Sequence, residues 1–366
     1  MNLTCQKDLL LQYINIVNKA VSNKTTLPIL ECILLTANDN GFVLTGNDLE
    51  LGIQTAAIPA TILEKGEVAL EARILGDIVR RVNGETMSIK VDDKNMVTLT
   101  CGSSEFTIMG QSGDEFPALP TVEQENAFVL PQNDLRDMIR QTIFSIAQDN
   151  SKPILTGELF ELQQDTLHVV SVDGYRISFR KNILSQCAEP TNVIVPGKTL
   201  MELNKILSQE DENVSLYVTD KHILFDLGTA TMVSRLIGGD FIRYAQSFTE
   251  EYKTKIILDK NEFVQTLERA SLVSRDNRKS PVRFHIKENQ LLVTAKSDMG
   301  TAYEEIVCEV EGDDLEIAFN PRYYIEALRS IEDEKVAIQF LASLSPATIL
   351  PVDGDAYKYL ILPLRM

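Results

Sequence analysis

The sequence predicts an α+β fold made of three consecutive copies of one domain, each with two helices packed on antiparallel sheets. Three observations support this prediction: motifs that recur at a nearly constant interval, apolar residues at the 3.6-residue period of a helix, and alternating segments typical of strands. The chain has 366 residues, more than one hydrophobic core normally organises. Copies of about 120 residues are an ordinary size for a domain.

Three motifs recur along the chain at intervals of about 125 residues. The first is a short apolar strand, a turn and a helix, as in LEARILGDIVRRV, IVPGKTLMELNKIL and AFNPRYYIEALRSI. The second is a strand that ends at an aspartate, and the third is a proline followed by apolar residues. Their marker residues are Leu75, Leu200 and Tyr324, then Asp48, Asp173 and Asp298, and then Pro28, Pro153 and Pro281. This agreement predicts domains at residues 1–122, 123–250 and 251–366, with linkers near Val122 and Phe248.

Each copy is predicted to begin with a helix and to carry a second helix in its later half. The first helices show apolar stripes with helical spacing, and the third stripe is the weakest. The stripes are Leu10, Ile14, Val17 and Val21, then Leu135, Ile139, Thr142 and Ile146, and then Phe263, Leu267 and Ala270. Between the helices lie alternating segments such as ILLTANDNGFVLTG, whose Asp-Asn-Gly turn is a hairpin signal. Helices on one face of antiparallel sheets form an α+β arrangement.

The composition is typical of an acidic globular protein. Hydrophobic residues make up 44% and charged residues 24% of the chain, and the net charge is −18. No signal-peptide pattern and no apolar run of membrane-spanning length is visible, so no membrane partner is expected. The five scattered cysteines suit a reducing cytoplasm, and the three histidines show no ligand spacing. We therefore expect a cytoplasmic protein without a metal or other cofactor.

The repeated aspartates invite a catalytic hypothesis. Asp48, Asp173 and Asp298 could form shared metal or acid–base sites. However, each one sits where a strand meets a turn, and aspartate is common in turns because its side chain binds the nearby backbone. The sequence contains none of the P-loop, GxSxG, HExxH or dinucleotide-binding motifs. The structural interpretation is therefore favoured, and no catalytic residue is predicted.

Basic residues recur in the three second helices despite the acidic balance. Each helix carries a pair seven residues apart, a spacing that returns to nearly the same helical face. The pairs are Arg73 and Arg80, Lys198 and Lys205, and Arg322 and Arg329. Any amphipathic helix carries such residues on its wet face, but their repetition in an acidic chain predicts a locally positive surface. Without a base-reading motif beside them, they would contact phosphates and not base edges.

The motifs LPIL, TGNDLE, SVDGYR, FNPRYY and the terminal LPLRM together resemble the bacterial sliding clamp family, the β subunits of DNA polymerase III. The resemblance runs from Met1 to Met366 with matching order and spacing. It implies three clamp domains per chain and a head-to-tail homodimer that closes into a ring around duplex DNA. It also implies a processivity factor and not an enzyme, which a clamp loader opens. DNA polymerase III and other polymerases would bind a hydrophobic cleft between the second and third domains.

The resemblance also suggests the functional residues. Lys24, Arg73, Gln148 and Lys152 match positions where the family touches DNA, and the repeat argument adds Arg80, Lys198, Lys205, Arg322 and Arg329. The family's partner cleft corresponds to Leu155, Val172, Gly174, Tyr175, Arg176, Ile177, Ile242, Asn320, Tyr323, Leu344, Pro346, Leu362, Pro363, Leu364, Arg365 and Met366. The apolar end of the chain is thus expected to form a wall of the cleft. The alternative is that it completes the core of the third domain.

Two departures from the family pattern affect these expectations. Ile242 stands where relatives commonly have proline, so the family's backbone conformation is not assumed at this point of the cleft. Ser103 and Glu105 stand where some relatives carry arginines, so the family's interface ion pairs are not assumed. The predicted dimer contact is apolar and pairs the edge strand at Phe106 and Ile108 with Leu272 and Val273.

Two other functions remain open at this point. A repeat-built protein scaffold that never meets DNA would suit the acidic balance. A metal-dependent nuclease could use the repeated aspartates. Metal-dependent turnover would identify the nuclease, and retention on circular but not on linear DNA would exclude the scaffold.

Overall fold

The structure is a computed structural model that describes residues 1–22, 25–273 and 281–365. Lys24 and Met366, two of the predicted site residues, lie outside the described residues. The helices among the described residues are α1 (Lys7–Val17), α2 (Ala72–Arg81), α3 (Gln132–Arg140), α4 (Gly197–Leu203), α5 (Lys260–Ser271) and α6 (Pro321–Ser330).

Strands are the commonest regular element of the described chain, and every strand pair is antiparallel. The strands of the first third are β1 (Asn2–Gln6), β2 (Cys32–Asn38), β3 (Gly41–Asn47), β4 (Leu51–Thr55), β5 (Ala60–Glu64), β6 (Gly66–Glu71), β7 (Thr86–Val91), β8 (Met96–Cys101), β9 (Ser104–Met109) and β10 (Gln111–Ser112). Those of the middle third are β11 (Phe128–Pro131), β12 (Gly157–Leu162), β13 (Thr166–Val172), β14 (Arg176–Ile183), β15 (Thr191–Pro196), β16 (Asn213–Val218), β17 (His222–Asp226) and β18 (Ala230–Arg235). Those of the last third are β19 (Thr254–Asp259), β20 (Val282–Lys287), β21 (Gln290–Ser297), β22 (Gly300–Val307), β23 (Glu309–Gly312), β24 (Leu315–Phe319), β25 (Lys335–Phe340), β26 (Ala347–Pro351) and β27 (Tyr357–Ile361).

The chain divides into two compact units. Unit 1 comprises residues 1–133, 185–188 and 202–236. It contains a five-stranded sheet in the order β5-β1-β7-β8-β9 and a nine-stranded sheet in the order β10-β6-β2-β3-β4-β18-β17-β16-β11. The helices α1 and α2 contact each other and pack on the sheets, and α1 does so with Leu10, Ile14 and Val17 of the predicted stripe.

Unit 2 comprises residues 134–184, 189–201 and 237–366. Its nine-stranded sheet has the order β15-β12-β13-β14-β27-β26-β25-β19-β23, and its four-stranded sheet has the order β22-β21-β20-β24. The helices α5 and α6 pack over an aromatic core of Phe263, Phe284, Phe319 and Tyr324, with neighbouring ring centroids 4.9 to 6.0 Å apart. Because β14 pairs with β27, the second and third repeats share one continuous sheet in this unit.

The structure confirms the repeat. Each of α2, α4 and α6 follows a short strand, as the strand–turn–helix motif requires. The strands β4 and β14, which occupy equivalent positions in the first two copies, each pair antiparallel with the last strand of the following copy. Asp39 and Asn40 form the predicted hairpin turn between β2 and β3. The antiparallel α+β arrangement is thus confirmed.

The predicted helical stripes run past the ends of two helices. The helix α1 ends at Val17, and Val21 follows a short 3-10 turn beyond it. The helix α3 ends at Arg140. Thr142 and Ile146 are buried, but they lie in the turns that follow the helix and not in the helix itself. Thr142 explains the second ending, because its hydroxyl bonds back to the carbonyl of Met138 at 2.7 Å, a contact that competes with regular helix.

The prediction that Lys198 and Lys205 share one helical face is wrong. The helix α4 ends at Leu203, and Lys205 lies in the turn that follows. Asn204, a weak helix former, begins this turn, and Ile206 N donates to Leu203 O at 2.9 Å in 3-10 fashion. In the second copy, the seven-residue spacing therefore does not place the two lysines on one face of a helix.

Within the parts of the chain that the structure describes, no helix is long and apolar enough to cross a membrane. The five cysteines are free thiols, and Cys187 alone among them is exposed. Burial raises the pKa of the Cys5 thiol to about 12 and that of the Cys32 thiol to about 11. These two thiols are therefore unreactive at neutral pH.

Candidate partner cleft and nucleic-acid interface

The turn after β13 is built by Asp173. Its Oδ1 accepts hydrogen bonds from the backbone N–H of Tyr175 at 2.9 Å and of Arg176 at 3.1 Å. Gly174 adopts a φ of +91°, which a residue with a side chain rarely tolerates. The turn lifts Tyr175 away from the sheet, and 58% of its surface is exposed. Asp48 binds the backbone in the same way in the first copy, so these two aspartates are turn residues, as favoured from the sequence.

Arg176 is buried and organises the surroundings of Tyr175. Its guanidinium binds Asp173 Oδ2 at 2.9 Å, Glu326 Oε2 at 2.5 Å and the carbonyl of Phe144 at 2.5 Å. It also lies 4.6 Å from the ring centroid of Tyr323, which stacks on Tyr175 at 6.1 Å. All these contacts are internal. Arg176 therefore positions the two tyrosines and does not offer its charge to a ligand.

The remaining predicted cleft residues divide into a floor and a rim. Leu155, Val172 and Ile177 are buried in one hydrophobic cluster and form the floor. The most exposed apolar rim residues are Leu344 at 69%, Leu362 at 39% and Ile242 at 38%. Large apolar side chains left in water around a buried apolar floor are typical of a binding site.

The end of the chain is tied to this rim by backbone hydrogen bonds. The strand β27 ends at Ile361, and Leu362 N then donates to Tyr175 O at 2.9 Å. Pro363 has no N–H and stops the ladder, while Leu364 N donates to Ala318 O at 2.8 Å. Leu364 is half-buried and Arg365 is exposed. The described part of the tail is thus ordered but not enclosed.

Asn320 and Pro346 complete the predicted set. Asn320 caps α6, because its Oδ1 accepts from Arg322 N at 3.1 Å. This cap fixes the first turn of the helix and thereby the position of Tyr323. Burial is the main cause that raises the pKa of the Tyr323 hydroxyl, so this phenol stays protonated at neutral pH. Pro346 is half-buried next to the exposed Leu344.

Sequence reasoning missed part of the apolar surroundings. Leu360 belongs to the same cluster as Leu155, and Phe241 and Phe248 pack against it. Leu360 could have been found from the sequence, since it precedes Leu362 by two positions in an alternating strand. Ile242, the departure from the family pattern, stays exposed, and its carbonyl accepts from Tyr244 N at 2.8 Å.

At the equivalent place in unit 1, the described residues form no such cleft. The residues 125 positions before Val172 and Ile177 are Asn47 and Gly52. Asn47 Nδ2 donates to the carbonyl of Pro117 at 3.1 Å. Leu119 lies against Gly52: a Cβ added to this glycine would be only 2.3 Å from a methyl group of Leu119. The chain itself fills this position, so the described residues of unit 1 leave no matching apolar floor there.

The predicted DNA contacts that the structure describes are exposed, but several are already paired. Arg73, Gln148, Lys152 and Lys198 lie at the surface, where Lys198 already has an interaction partner within the chain. The other four form ion pairs within the chain: Arg80 with Asp77 at 3.1 Å, Lys205 with Glu202 at 2.7 Å, Arg322 with Glu326 at 2.6 Å, and Arg329 with Glu268. A phosphate would therefore compete with a carboxylate at each of these four residues.

The residues predicted for the dimer contact differ in exposure. Phe106 is 41% exposed on β9, the edge of the five-stranded sheet. Phe106 lies opposite Leu99 on the neighbouring strand, and Ile108 lies opposite Val97. Since Leu99 and Val97 are buried, Phe106 and Ile108 extend the same apolar face to the open edge of the sheet. Leu272, at the end of α5, is 79% exposed. An uncovered apolar strand edge is a place where another chain can add.

Comparisons with known proteins agree along the whole chain. The N-terminal, central and C-terminal domains of the DNA polymerase III beta subunit family match residues 1–120, 129–242 and 246–365. A beta sliding clamp of Staphylococcus aureus strain Mu50 is 32% identical, with 100% of this chain and 99% of that protein covered. The crystal structure of the DNA polymerase sliding clamp from Bacillus subtilis superposes with a TM-score of 0.96 at 33% identity, over 100% and 99% of the two chains. That of the DNA polymerase beta subunit from Streptococcus pyogenes gives 0.96 at 28% identity and covers 100% of each chain. With all three family domains present in order and the whole length covered, the chain belongs to the DNA polymerase III beta subunit family, the bacterial beta sliding clamps.

Proposed function

We propose that this chain acts as a DNA sliding clamp: two copies close head to tail into a ring around duplex DNA and tether the replicative polymerase. The observation that carries the proposal is the order of the three family domains from residue 1 to residue 365. A tether of this kind holds DNA by enclosure, so it needs no tight chemical contact. The partners are DNA polymerase III, other polymerases and a clamp loader that opens the ring. The site of action is the cytoplasm.

The clamp performs no chemistry on the DNA. Two of the three repeated aspartates, Asp48 and Asp173, are engaged with their own turns. Among the described residues, no group of three His, Cys, Asp or Glu side chains could hold a metal ion. These observations favour a processivity factor over the metal-dependent nuclease considered from the sequence.

The domains would span residues 1–122, 123–250 and 251–366. The dimer contact would join the edge strand at Phe106 and Ile108 with Leu272 and Val273 of the partner copy. The support is the unpaired apolar edge of β9 and the exposure of Leu272. Ser103 and Glu105 are exposed near that edge and bring no cationic group, so the contact would rest mainly on apolar burial.

Contacts with DNA would be numerous and weak. Arg73, Gln148 and Lys152 would touch phosphates together with Lys24. Arg80, Lys205, Arg322 and Arg329 would do so after releasing a carboxylate, and Lys198 after releasing its own partner within the chain. Because each exchange replaces one ion pair by another, the net free energy per contact is small. Weak contacts that ignore sequence let a ring move along the duplex.

Partners would bind in the cleft formed by the floor and rim described above. An extended peptide would place apolar side chains over Leu155 and Ile177. Its backbone would run beside Tyr175 and Leu362. The internal pairing of Arg176 keeps this surface in shape without a bound peptide.

Retention on DNA of defined topology tests this proposal. The clamp is loaded on nicked circular DNA by the clamp loader, and the DNA is then linearised. Retention on the circle and loss after linearisation are expected, because a ring slides off a free end. Equal retention on both forms would indicate ordinary binding, and no retention on either would favour the protein scaffold. A double variant, Ile108→Asp with Leu272→Asp, serves as control and should not be retained.

A further inference from the structure

Unit 2 contains a groove of about 520 Å³ that the site described above does not include. Strand residues of the nine-stranded sheet line one side of it, and the segment after Ile242 lines the other. Three aromatic rings form its main apolar wall: Phe179, Tyr244 and Phe248. Their centroids lie 6.1 to 6.5 Å apart, and Leu350 adds an aliphatic side. The volume is within the range of ligand-binding pockets.

The aromatic wall is held in place by a polar network beneath it. Glu161 Oε2 accepts hydrogen bonds from the Tyr244 hydroxyl at 2.5 Å and from His168 Nδ1 at 3.2 Å. His168 in turn contacts Phe179, with ring centroids 5.0 Å apart. Bonds from these two groups lower the pKa of Glu161, so the carboxylate is ionised at neutral pH and the network is stable. An ordered wall loses little entropy when it receives a ligand.

The charges around the groove nearly balance. Asp355 is paired with Lys181 at 2.5 Å, and Glu250 lines the rim. The Lys358 ammonium lies 5.9 Å from the ring centroid of Phe248. One acidic and one basic rim residue select neither an acidic nor a basic ligand. The groove is therefore suited to an uncharged aromatic side chain, which offers a large apolar area and a ring face for Lys358.

The groove continues the apolar floor of the partner cleft. Phe179 and Tyr244 belong to the same hydrophobic cluster as Leu155 and Ile177. On β14, Ile177 and Phe179 are two residues apart and therefore point to the same face. Their partners on β27 are Leu360 and Lys358. One two-residue step along these strands, about 7 Å, leads from the cleft floor to the groove.

The distance suits a short extension of a bound peptide. From Leu362 at the cleft rim to Lys358 at the groove is a span of four strand residues, or about 13 Å. About four residues of extended peptide cover that length. A partner segment that leaves the cleft along β27 therefore reaches the groove without a turn.

We propose that this groove is an accessory subsite for the same partner: it receives an aromatic side chain from the segment that flanks the cleft-binding peptide. The proposal rests on the proposed partner cleft. An aromatic ring buried against Phe179, Phe248 and Leu350 strengthens binding of the flanked peptide by about tenfold or more. All partners bind the cleft through the same kind of peptide, and the groove binds more tightly those partners whose flanking segment carries an aromatic residue.

Peptide titration calorimetry on the full-length protein tests the subsite. Twenty-residue peptides that tile the catalytic subunit of the same organism's DNA polymerase III are screened. The best binder is trimmed to the shortest peptide whose binding is abolished by Leu344→Asp, a substitution at the cleft rim. This core peptide is then compared with versions that carry six further residues at either end. In a matched pair, each aromatic flanking residue is replaced by serine.

Two groove variants and one control complete the design. Thr348→Trp fills the groove from β26, and Phe248→Ala removes part of its wall. Val352→Trp adds the same bulk outside the groove lining. Circular dichroism melting establishes that each variant is folded. If Phe248→Ala is unstable, the affinity of Thr348→Trp for the flanked peptide decides whether the groove contributes to binding.

The subsite is supported if one flank improves wild-type affinity about tenfold, if serine replacement removes the gain, and if Thr348→Trp removes it without changing core affinity. Equal affinity of core and flanked peptides overturns the subsite while leaving the cleft intact. A gain that survives Thr348→Trp also overturns it, because the flank then binds elsewhere. If no peptide shows binding that depends on Leu344, the cleft itself is wrong and the subsite fails with it.

Discussion

A buried glutamate is expected to make the stability of unit 2 dependent on pH. Glu158 lies on β12 with no exposed surface, and neither carboxyl oxygen has a hydrogen-bond partner among the described residues. Thr142 lies beside it but gives its hydroxyl proton to the carbonyl of Met138 at 2.7 Å. Burial raises the pKa of Glu158 from its ordinary 4.5 to about 8. The carboxyl is therefore protonated in the folded protein at neutral pH.

The sign and size of the effect follow from linkage. Below pH 4.5 the group is protonated in the folded and the unfolded chain, and its contribution to stability is fully present. Above that pH only the unfolded chain releases the proton, so the free energy of unfolding falls by about 1.4 kcal/mol per pH unit. The fall ends near pH 8, where the folded group also ionises. Between about pH 5.5 and pH 8 the loss amounts to about 3 kcal/mol.

The substitution Glu158→Gln isolates this contribution, because an amide resembles the protonated carboxyl and does not titrate. The variant and the wild type should have similar stability at about pH 5. As the pH rises further, the free energy of unfolding of the variant should increase steadily relative to that of the wild type, and the difference should reach about 3 kcal/mol by about pH 8. Glu189→Gln, at an exposed glutamate of the same unit, is the matched control and should follow the wild type at every pH.

Urea unfolding followed by circular dichroism at several pH values measures the difference. Because the chain has several domains, hydrogen exchange of the β12 amides should accompany it to report on the unit that holds Glu158. Parallel pH profiles for the wild type and Glu158→Gln would refute the reasoning. A variant less stable than the wild type at about pH 8 would do the same, since it would show that the ionised carboxylate has a partner.

Three further predictions concern the proposed sites. Deleting residues 363–366 should weaken binding of a cleft peptide by roughly ten- to a hundredfold, because one Leu-sized contact contributes ~1.5–3 kcal/mol, while the melting temperature stays nearly unchanged. Calorimetry measures both, and a melting point many degrees lower would assign the tail to the core instead. Replacing Ile108 and Leu272 by aspartate should give folded monomers in analytical ultracentrifugation, and a persistent dimer would contradict the proposed interface. Reversing Lys198 and Arg322 to glutamate should weaken DNA binding and reduce its salt slope by roughly 0.9 for each phosphate that is no longer neutralised, whereas an unchanged slope would mean that these side chains do not reach DNA.

The sequence by itself determined the architecture, because the relevant signals are local and repeated. The stripe of Leu10, Ile14 and Val17 predicts a helix from spacing alone, and burial of all three agrees with it. The Asp-Asn-Gly turn and the aspartate at 173 act through their own backbone neighbours, so their roles can be recognised without a fold. Three copies of each signal also revealed the domain plan, since chance agreement at one interval across the chain is improbable.

The tertiary structure alone decided how single side chains are used. Arg176 looks like a possible ligand contact in the sequence, yet Glu326, 150 residues away, holds it inside the protein. Lys205 repeats the spacing of its counterparts, but α4 ends before it. Glu158 belongs to a residue type that is rarely buried, yet the folded chain buries it completely. In these cases the free energy depends on residues distant in sequence, which converge only once the sheets and helices have packed, and no local pattern records that convergence.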